Sequence, residues 1–382
     1  MTVRTLKEKD GGADKMRTRT AGECRCLRWY GRTYQDDDRI YFDWTGSGFE
    51  VDFKGTLLMA KLHVMPNVLK EPYVDAVTQE AGVRDQTDWP WIAVCLDGEE
   101  TPSRIFPVRA ENQEILLYYS PVAGRHRIRV VKLSEGALYQ TALCALTFDG
   151  EISEPDVSFD GTIEFIGDSI TCGFGNGVND PQRRFYASDE DGWMSYAAIA
   201  SRSLNLDFSI VAISGVTLVP DPVYMPYSFG MKDVYLYTDR LLEERLGRKE
   251  NFRLWNFSAH PKDIVVMNLG TNDATAIIKS GDPEAERTFI EEYRAFIEKL
   301  RALYGKETKI VCSLGSMDYY LYDAILDAVR LYKQETSDER VWTFKYGKMM
   351  PETEDVGACM HPTAVLHKKM AAELTVFLKS IL

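Results

Sequence analysis

The chain has 382 residues and a formal net charge of −13, with 45% hydrophobic and 12% aromatic residues. This composition is that of a globular protein that buries large cores, so it excludes general disorder, and the length favours two domains. The acidic balance argues against a nucleic-acid or membrane-surface partner, because few cations are available to neutralise a phosphate-bearing surface.

The N-terminal third predicts short strands separated by turns. Residues 1–24 are polar and are expected to form a flexible arm, whereas residues 25–155 are expected to form a β-sandwich. The candidate strands have period-two alternation or β-branched runs bounded by Asp-Gly, Pro or Gly; they are 49–53, 57–64, 91–96, 114–119, 126–133 and 142–148.

From residue 156 to 382 the pattern changes to strands that alternate with helices, which predicts a parallel sheet with helices on both faces. The predicted strands are 163–167, 208–213, 264–269, 309–314 and 341–346. The predicted helices are 193–204, 234–245, 284–304, 321–335 and 364–382. The expected fold class is therefore α/β: an N-terminal β-sandwich followed by a five-stranded parallel-sheet domain.

Polar residues follow four of the five predicted strands, at the sheet edge where open parallel sheets bind ligands. Ser169 follows the first strand, Gly215 the second and Asn272 the third, and His361 precedes the last helix. A hydroxyl, an imidazole and hydrogen-bond donors are the groups that acyl transfer requires. We predict Ser169 as nucleophile and His361 as general base, with the Ser169 and Gly215 N–H groups and the Asn272 amide as the oxyanion hole.

Four motifs resemble, in order, the blocks of the SGNH/GDSL hydrolase superfamily: GDSITCGFG (167–175), AISG (212–215), GTND (270–273) and HPT (361–363). Three further segments, FDWTGSGFEVDFKGT (42–56), DGWMSYAAIA (191–200) and NLGTND (268–273), are similar to carbohydrate esterase family 2. The resemblance implies an N-terminal jelly roll and a C-terminal flavodoxin-like SGNH domain. It also implies metal-free removal of O-acetyl groups from xylo-, manno- or gluco-oligosaccharides.

The sequence departs from the superfamily pattern next to the histidine, where many members place an aspartate two or three residues earlier. Here those positions are Ala358 and Cys359, and the first acid upstream is Asp355. Either Asp355 orients the imidazole, or a backbone carbonyl holds the Nδ1 proton and the site is a Ser–His dyad. We favour the dyad.

Other candidate site residues have equally ordinary structural explanations. Trp193, Tyr224 and Tyr227 are candidate sugar contacts, but each also suits a hydrophobic core. Cys172 lies one helical turn after Ser169, where a small packing residue is a better explanation than a thiol nucleophile.

The sequence contains no secretory h-region and no apolar run of the ~18–20 residues needed for a membrane span. We therefore expect a cytoplasmic protein. Seven cysteines without metal-ligand spacing predict neither a disulfide scaffold nor a zinc site, and no cofactor is expected. The favoured function is an esterase acting on acetylated oligosaccharides. The alternatives are a lipase, thioesterase or arylesterase on the same scaffold, or a non-catalytic carbohydrate-binding protein.

Overall fold

The computed structural model describes residues 16–74, 81–221, 227–353 and 355–382. The N-terminal strands are β1 (Arg17–Thr20), β2 (Arg28–Tyr30), β3 (Tyr34–Asp36), β4 (Arg39–Tyr41), β5 (Gly48–Met65), β6 (Asn67–Val74), β7 (Ala81–Asp88), β8 (Trp91–Leu96), β9 (Arg104–Pro107), β10 (Asn112–Lys132), β11 (Gln140–Phe148) and β12 (Glu151–Ser153). The C-terminal strands are β13 (Gly161–Gly167), β14 (Leu206–Ala212), β15 (Ile264–Asn268), β16 (Lys309–Leu314) and β17 (Val341–Lys345). The helices are α1 (Ser169–Cys172), α2 (Tyr196–Ser203), α3 (Met231–Val234), α4 (Arg240–Arg245), α5 (Thr271–Ser280), α6 (Ala285–Tyr304), α7 (Tyr322–Thr336) and α8 (Ala364–Ile381).

The N-terminal region is an antiparallel β unit. Its two longest strands, β5 and β10, each pair with several other strands. One part of β5 pairs with β2 and β12, the other part pairs with β11, and β10 runs beside β5 along most of its length. An apolar cluster that includes Phe49, Val51 and Phe53 lies inside this unit. The predicted antiparallel β region is therefore confirmed.

Two pairs of predicted strands are in fact single strands. The expected segments 49–53 and 57–64 belong to β5, and 114–119 and 126–133 belong to β10. The expected break at Pro121 is instead a register shift between Tyr119 and Gly124. A bulge tolerates proline because the extra residue needs no ladder hydrogen bond.

The expectation of a flexible arm over residues 1–24 is wrong for its last part. β1 pairs with β11, from Arg17 opposite Phe148 to Thr20 opposite Ala145. Ala21 and Cys24 are then buried in the core of the β unit. Backbone pairing and apolar burial, which the polar composition of this segment conceals, fix it in place. Residues 1–15 lie outside the described residues.

The C-terminal region is a five-stranded parallel sheet in the order β14-β13-β15-β16-β17, as predicted. Its core has two layers because neighbouring strand residues point to opposite faces. Ile166, Val211 and Met267 pack towards α6 and α7, whereas Phe165, Ile210 and Val266 pack towards α2 and α8. Helices thus cover both faces, and the carboxyl edge of the sheet remains between them.

The helix predictions succeed where an apolar stripe is long. α6 buries Phe289, Tyr293, Phe296, Ile297 and Leu300 on one face and ends before Gly305, whose φ is +85°. The predicted helix 234–245 is instead two short helices, α3 and α4. The helix α5 was not predicted, because it has no comparable stripe and begins inside a motif interpreted as a loop.

The two regions meet through apolar packing and buried charge. Val131 and Leu133, at the end of β10, belong to the same apolar cluster as Phe165 and Phe208 of the parallel sheet. Arg32 of the β unit forms an ion pair with Glu164 of β13 at 3.1 Å, and neither side chain is exposed. In the described ranges, no helix is both long and apolar enough to cross a bilayer.

Candidate active site

Ser169 lies where β13 turns into α1, at the carboxyl edge of the parallel sheet. Asp168 caps this turn, since its Oδ1 accepts the Ile170 N–H at 3.0 Å. Burial, together with the neighbouring carboxyls of Asp318 and Asp273, raises the pKa of Asp168 to about 7. Asp168 therefore orders the backbone turn that holds Ser169 in place.

The Ser169 side chain contacts His361, which lies 192 positions along the chain. The Ser169 hydroxyl Oγ is 2.8 Å from His361 Nε2, within hydrogen-bond distance. Ser169 is only 7% exposed, so its hydroxyl has little access to competing water. The sequence prediction that these two residues come together agrees with the structure.

A backbone carbonyl, not a carboxylate, orients the imidazole. His361 Nδ1 lies 2.9 Å from the carbonyl oxygen of Cys359. Because a carbonyl only accepts, Nδ1 carries the proton and Nε2 is left to accept from the Ser169 hydroxyl. Cys359 and Met360 both have positive φ, 51° and 65°, and this unusual backbone precedes the histidine directly.

Asp355 does not occupy the orienting position. Its carboxylate forms an ion pair with Lys369 at 2.6 Å, and its backbone carbonyl accepts from the Thr363 N–H at 2.9 Å. The candidate role of Asp355 as the histidine-orienting acid is therefore corrected: its side chain is committed to α8.

The segment before His361 docks on the loop that follows α1. The Ala358 N–H donates to the Gly175 carbonyl at 3.1 Å, and the Cys359 N–H donates to the Arg183 carbonyl at 3.1 Å. Gly175 has φ +70°, and a Cβ there would lie 2.6 Å from the Ala358 carbonyl oxygen. Glycine thus permits the close backbone approach that brings the histidine to the serine.

Burial keeps the imidazole neutral. It lowers the pKa of His361 to about 4, although the carbonyls of Cys359 and Ala358 oppose this shift by accepting hydrogen bonds. The Phe174 ring lies against the imidazole, with centroids 4.5 Å apart, and stacks on Phe185 at 3.8 Å. A neutral imidazole near pH 7 is the form that accepts a proton.

Two backbone donors at the site lack an acceptor among the described residues: the N–H groups of Ser169 and Gly215. Gly215 lies in a turn closed by the Val216 N–H and the Ile213 carbonyl at 3.2 Å. Its φ of +77° favours glycine. Both predicted backbone donors of the oxyanion hole are therefore unpaired among the described residues, whereas the neighbouring Ser214 N–H donates to Glu135 Oε2.

Asn272, the second residue of α5, lies beside the Gly215 turn. Its Nδ2 donates to the Val216 carbonyl at 2.9 Å and lies 3.4 Å from Asp168 Oδ2. The amide thus connects the Gly215 turn to the Asp168 cap. Its predicted role as a third oxyanion donor stays a prediction.

The candidate substrate-contacting aromatics have different outcomes. Trp193 is 2% exposed, donates to the Glu100 carbonyl and lies 3.9 Å from the Arg202 guanidinium, which favours the core explanation of the two that the sequence left open. Tyr227 is half-buried, and its ring stacks on Phe229 with centroids 5.0 Å apart. Its contact with substrate stays a prediction, and Tyr224 lies outside the described residues.

Cys172 is buried and unsuited to nucleophilic attack. Burial, with Glu135 and Glu190 nearby, raises the pKa of its thiol well above the ordinary value. Sequence reasoning missed these two glutamates, each of which offers an oxygen within 4.8 Å of the Cys172 sulfur and of the other. The only available signal was the charge of Lys132 and Glu135 at the end of a predicted apolar strand.

The arrangement suits nucleophilic acyl transfer. A hydroxyl contacts a neutral imidazole of the correct tautomer, and two unpaired backbone N–H groups lie in the turns beside it. A family model of GDSL-like lipases and acylhydrolases matches residues 165–368, which include both side chains. The chain belongs to the GDSL-like Lipase/Acylhydrolase family.

Among curated relatives, Cellulase/esterase CelE of Acetivibrio thermocellus is 28% identical over 352 residues, which are 88% of this chain and 37% of CelE. An acetylxylan esterase / glucomannan deacetylase of Cellvibrio japonicus is 24% identical over 296 residues, 76% of each protein. This chain therefore spans just over a third of CelE.

Solved structures with the same two-part architecture cover nearly the whole chain. A family two carbohydrate esterase from Clostridium thermocellum, in complex with cellohexaose, has a TM-score of 0.77 at 25% identity and covers 93% of this chain and 98% of its own. The acetyl xylan esterase Est2A from the rumen bacterium Butyrivibrio proteoclasticus has a TM-score of 0.80 at 21% identity, with 96% and 98% covered. The resemblance inferred from the sequence motifs is confirmed.

Proposed function

We propose that this protein is a serine esterase that removes O-acetyl groups from carbohydrates through an acyl-enzyme intermediate. The contact that supports it is the 2.8 Å approach of Ser169 Oγ to His361 Nε2, with Nδ1 held by the Cys359 carbonyl. The family and the named activities of its relatives supply the substrate class.

In the first half-reaction, the Ser169 hydroxyl attacks the acetyl carbonyl while His361 Nε2 takes its proton. The new Oγ–C bond creates an oxyanion, which the N–H groups of Ser169 and Gly215 stabilise. When the intermediate collapses, the C–O bond to the sugar breaks and Nε2 returns the proton to the leaving alcohol. Acetyl-Ser169 remains.

In the second half-reaction, water attacks the acetyl-serine and gives its proton to His361 Nε2. Collapse of the second tetrahedral intermediate returns that proton to Ser169 Oγ and releases acetate. No carboxylate lies against Nδ1 among the described residues, so the transient imidazolium is stabilised by the Cys359 carbonyl. A carbonyl dipole stabilises that charge less than a carboxylate does.

Hydrolysis of p-nitrophenyl acetate by purified protein tests the chemistry. Ser169→Ala is expected to reduce the rate to that of the buffer blank, whereas Cys172→Ser, which keeps the small buried side chain, is expected to retain most of the activity. Equal rates for wild-type protein and Ser169→Ala would contradict the proposal. Loss of activity in Cys172→Ser with retention in Ser169→Ala would make the thiol the nucleophile.

The substrate class is tested separately. On p-nitrophenyl esters from acetate to octanoate, an acetyl esterase is expected to prefer acetate strongly, whereas a lipase or thioesterase prefers the longer chains. NMR of acetylated xylo-, manno- and gluco-oligosaccharides before and after reaction then locates the acetyl group that is lost. Action in the cytoplasm on soluble oligosaccharides also stays a prediction, which cell fractionation tests.

A further inference from the structure

A buried acidic cluster connects the β unit to the Gly215 turn. Glu135 follows β10 in the β unit, and Glu190 lies in the parallel-sheet domain; neither side chain is exposed. Glu135 Oε2 accepts the Ser214 N–H at 2.9 Å, and Glu190 Oε2 accepts the Glu135 N–H at 2.9 Å. The Glu135 carboxylate therefore holds the Gly215 turn through Ser214, and the Glu190 carboxylate holds the backbone of Glu135.

The second oxygen of each carboxylate has no hydrogen-bond partner. Glu135 Oε1 and Glu190 Oε1 are both buried and unpaired, and the two side chains place oxygens within 4.8 Å of each other. Two adjacent buried anions would repel each other strongly. A proton shared between the two carboxyls would remove one of these charges.

The Lys132 ammonium partly offsets the remaining negative charge of the two glutamates without forming an ion pair with either. Its Nζ donates to the carbonyls of Asp43 and Ser134, so it acts on the cluster through its field. Burial raises the pKa of both glutamates, and that of Glu190 well above its usual range because Glu135 is its neighbour. Wherever the shared proton lies, Glu135 Oε2 remains the acceptor for the Ser214 N–H.

We propose that Glu135, whose carboxyl shares a proton with the adjacent Glu190, is a positioning residue that aligns the Gly215 N–H for the oxyanion, a role that rests on the proposed esterase function. The turn has three consecutive N–H groups: Glu135 fixes Ser214, the Ile213 carbonyl fixes Val216, and Gly215 between them is left unpaired. An oxyanion donor stabilises the transition state only when it is held at the correct distance and angle.

The β unit is therefore part of the catalytic apparatus, because it supplies the acceptor that sets one end of the oxyanion turn. Removal of that acceptor should affect the transition state more than the ground state. We expect Glu135→Ala to lower kcat on p-nitrophenyl acetate ~10–10²-fold, less than the 10²–10³-fold typical of deleting an oxyanion donor, with little change in KM.

Glu135→Gln is the conservative comparison. Its amide oxygen still accepts from Ser214, and its NH₂ group can donate to Glu190, so we expect kcat within about threefold of wild type. Rescue by Gln but not by Ala separates positioning from a general loss of packing. Equal kcat in Glu135→Ala and wild type, with Ser169→Ala inactive, would overturn this inference alone. Activity in Ser169→Ala would overturn the proposed function instead.

A matched control breaks another contact between the same two regions. Arg28 pairs with Asp207 at 3.0 Å, at the amino end of β14, whereas Ser214 follows its carboxyl end. Arg28→Gln is expected to leave kcat unchanged. An equal kcat loss in Arg28→Gln and Glu135→Ala would show that domain docking in general, and not the Glu135–Ser214 bond, controls the rate.

Should Glu135→Ala fail to fold, Glu190→Gln provides the second variant. The new side-chain amide would keep an acceptor for the Glu135 N–H and an N–H donor for Glu135 Oε1, so near-normal kcat is expected. A kcat loss in Glu190→Gln as large as that expected for Glu135→Ala would overturn the shared-proton arrangement. So would a stoichiometric metal ion, measured by elemental mass spectrometry, that wild-type protein contains and Glu190→Gln lacks.

Discussion

Two buried charge clusters join the β unit to the parallel-sheet domain, and they are built on opposite principles. In the first, Glu164 accepts from Arg32 at 3.1 Å, from the Ser209 hydroxyl at 2.7 Å and from the Tyr304 hydroxyl at 2.7 Å. In the second, Glu135 and Glu190 each leave one carboxylate oxygen unpaired. The first cluster is closed in the sense that both Glu164 oxygens are paired, although Arg32 Nε is buried without a partner, and the second is incomplete.

The position of each cluster explains the difference. Glu164 lies within β13, whereas Ser169 follows the carboxyl end of the same strand. Burial alone would raise the pKa of Glu164, but Arg32 and the hydroxyl donors lower it to about 2, so the pair remains charged. Pairing of the Glu164 carboxylate favours stability, whereas unpaired carboxylate oxygens are retained near a site where they can act. Substitutions at the site and in the closed cluster should therefore separate effects on rate from effects on stability.

The largest expected effect is on catalysis. His361→Ala removes the proton acceptor 2.8 Å from Ser169 Oγ, so we expect kcat on p-nitrophenyl acetate to fall by about 10⁴-fold or more. The free energy of unfolding should also fall at pH 7, because the variant loses the packing on Phe174 and the bond to the Cys359 carbonyl, so kcat is compared per folded molecule. Rates and urea unfolding curves measure the two quantities.

A small loss of activity in His361→Ala would contradict the dyad and point to another base. Asp168 is the nearest candidate to examine, since its pKa is raised to about 7 and it adjoins Ser169. His367→Gln is a suitable control histidine: His367 is fully buried and accepts from the Tyr196 N–H at 3.1 Å, away from Ser169 Oγ. Its substitution should reduce stability more than kcat.

The next largest effect is on stability. Arg32→Met leaves the Glu164 carboxylate buried without its cation, which typically costs about 3–5 kcal/mol. We expect the urea midpoint to fall accordingly, while kcat per folded molecule stays near wild type. The double variant Arg32→Met with Glu164→Gln should recover part of the loss, because no buried charge remains. A double variant no more stable than the single one would contradict this account of the closed cluster.

The geometry of parallel sheets made part of the fold and of the site predictable from the sequence. Strand carboxyl ends share one edge, so motifs after β13, β14 and β15 identified Ser169, Gly215 and Asn272 without any three-dimensional information. The apolar stripe of α6 and the alternating faces of the strands defined the C-terminal architecture in the same way. These features are local in sequence, and each repeats over several residues.

The rest depended on contacts that no local pattern encodes. The carbonyl that orients His361 belongs to Cys359, and both Cys359 and Met360 have a positive φ although neither is a glycine. Glu135 meets Ser214 across 79 positions and between two domains. The burial of Trp193 beneath Arg202 likewise follows from domain packing, which a single helix motif does not reveal.

The pH dependence of kcat/KM tests whether His361 is buried in its neutral form. Only neutral His361 accepts a proton, and burial lowers its pKa to about 4, so activity is expected to rise through pH 4 and to stay level up to pH 7. An acidic limb near pH 6.5, the ordinary value for histidine, would contradict this. Stability also falls in acid, because unfolded histidines bind protons below ~6.5, and initial rates after a pH jump separate the two effects.

The smallest expected effect concerns Asp355, whose place in the sequence suggested a catalytic acid. Its carboxylate contacts Lys369, which is 53% exposed, while the Cys359 carbonyl occupies His361 Nδ1. We therefore expect Asp355→Asn to change kcat by less than about threefold, because its carboxylate pairs with Lys369 and does not reach His361. Lys369→Met should likewise leave kcat near wild type, but it should be the less stable variant, because the Asp355 carboxylate, 4% exposed, loses its cation. A kcat loss of several orders in Asp355→Asn alone would show that the carboxylate reaches the imidazole during the reaction, and the dyad would have to be replaced by a triad.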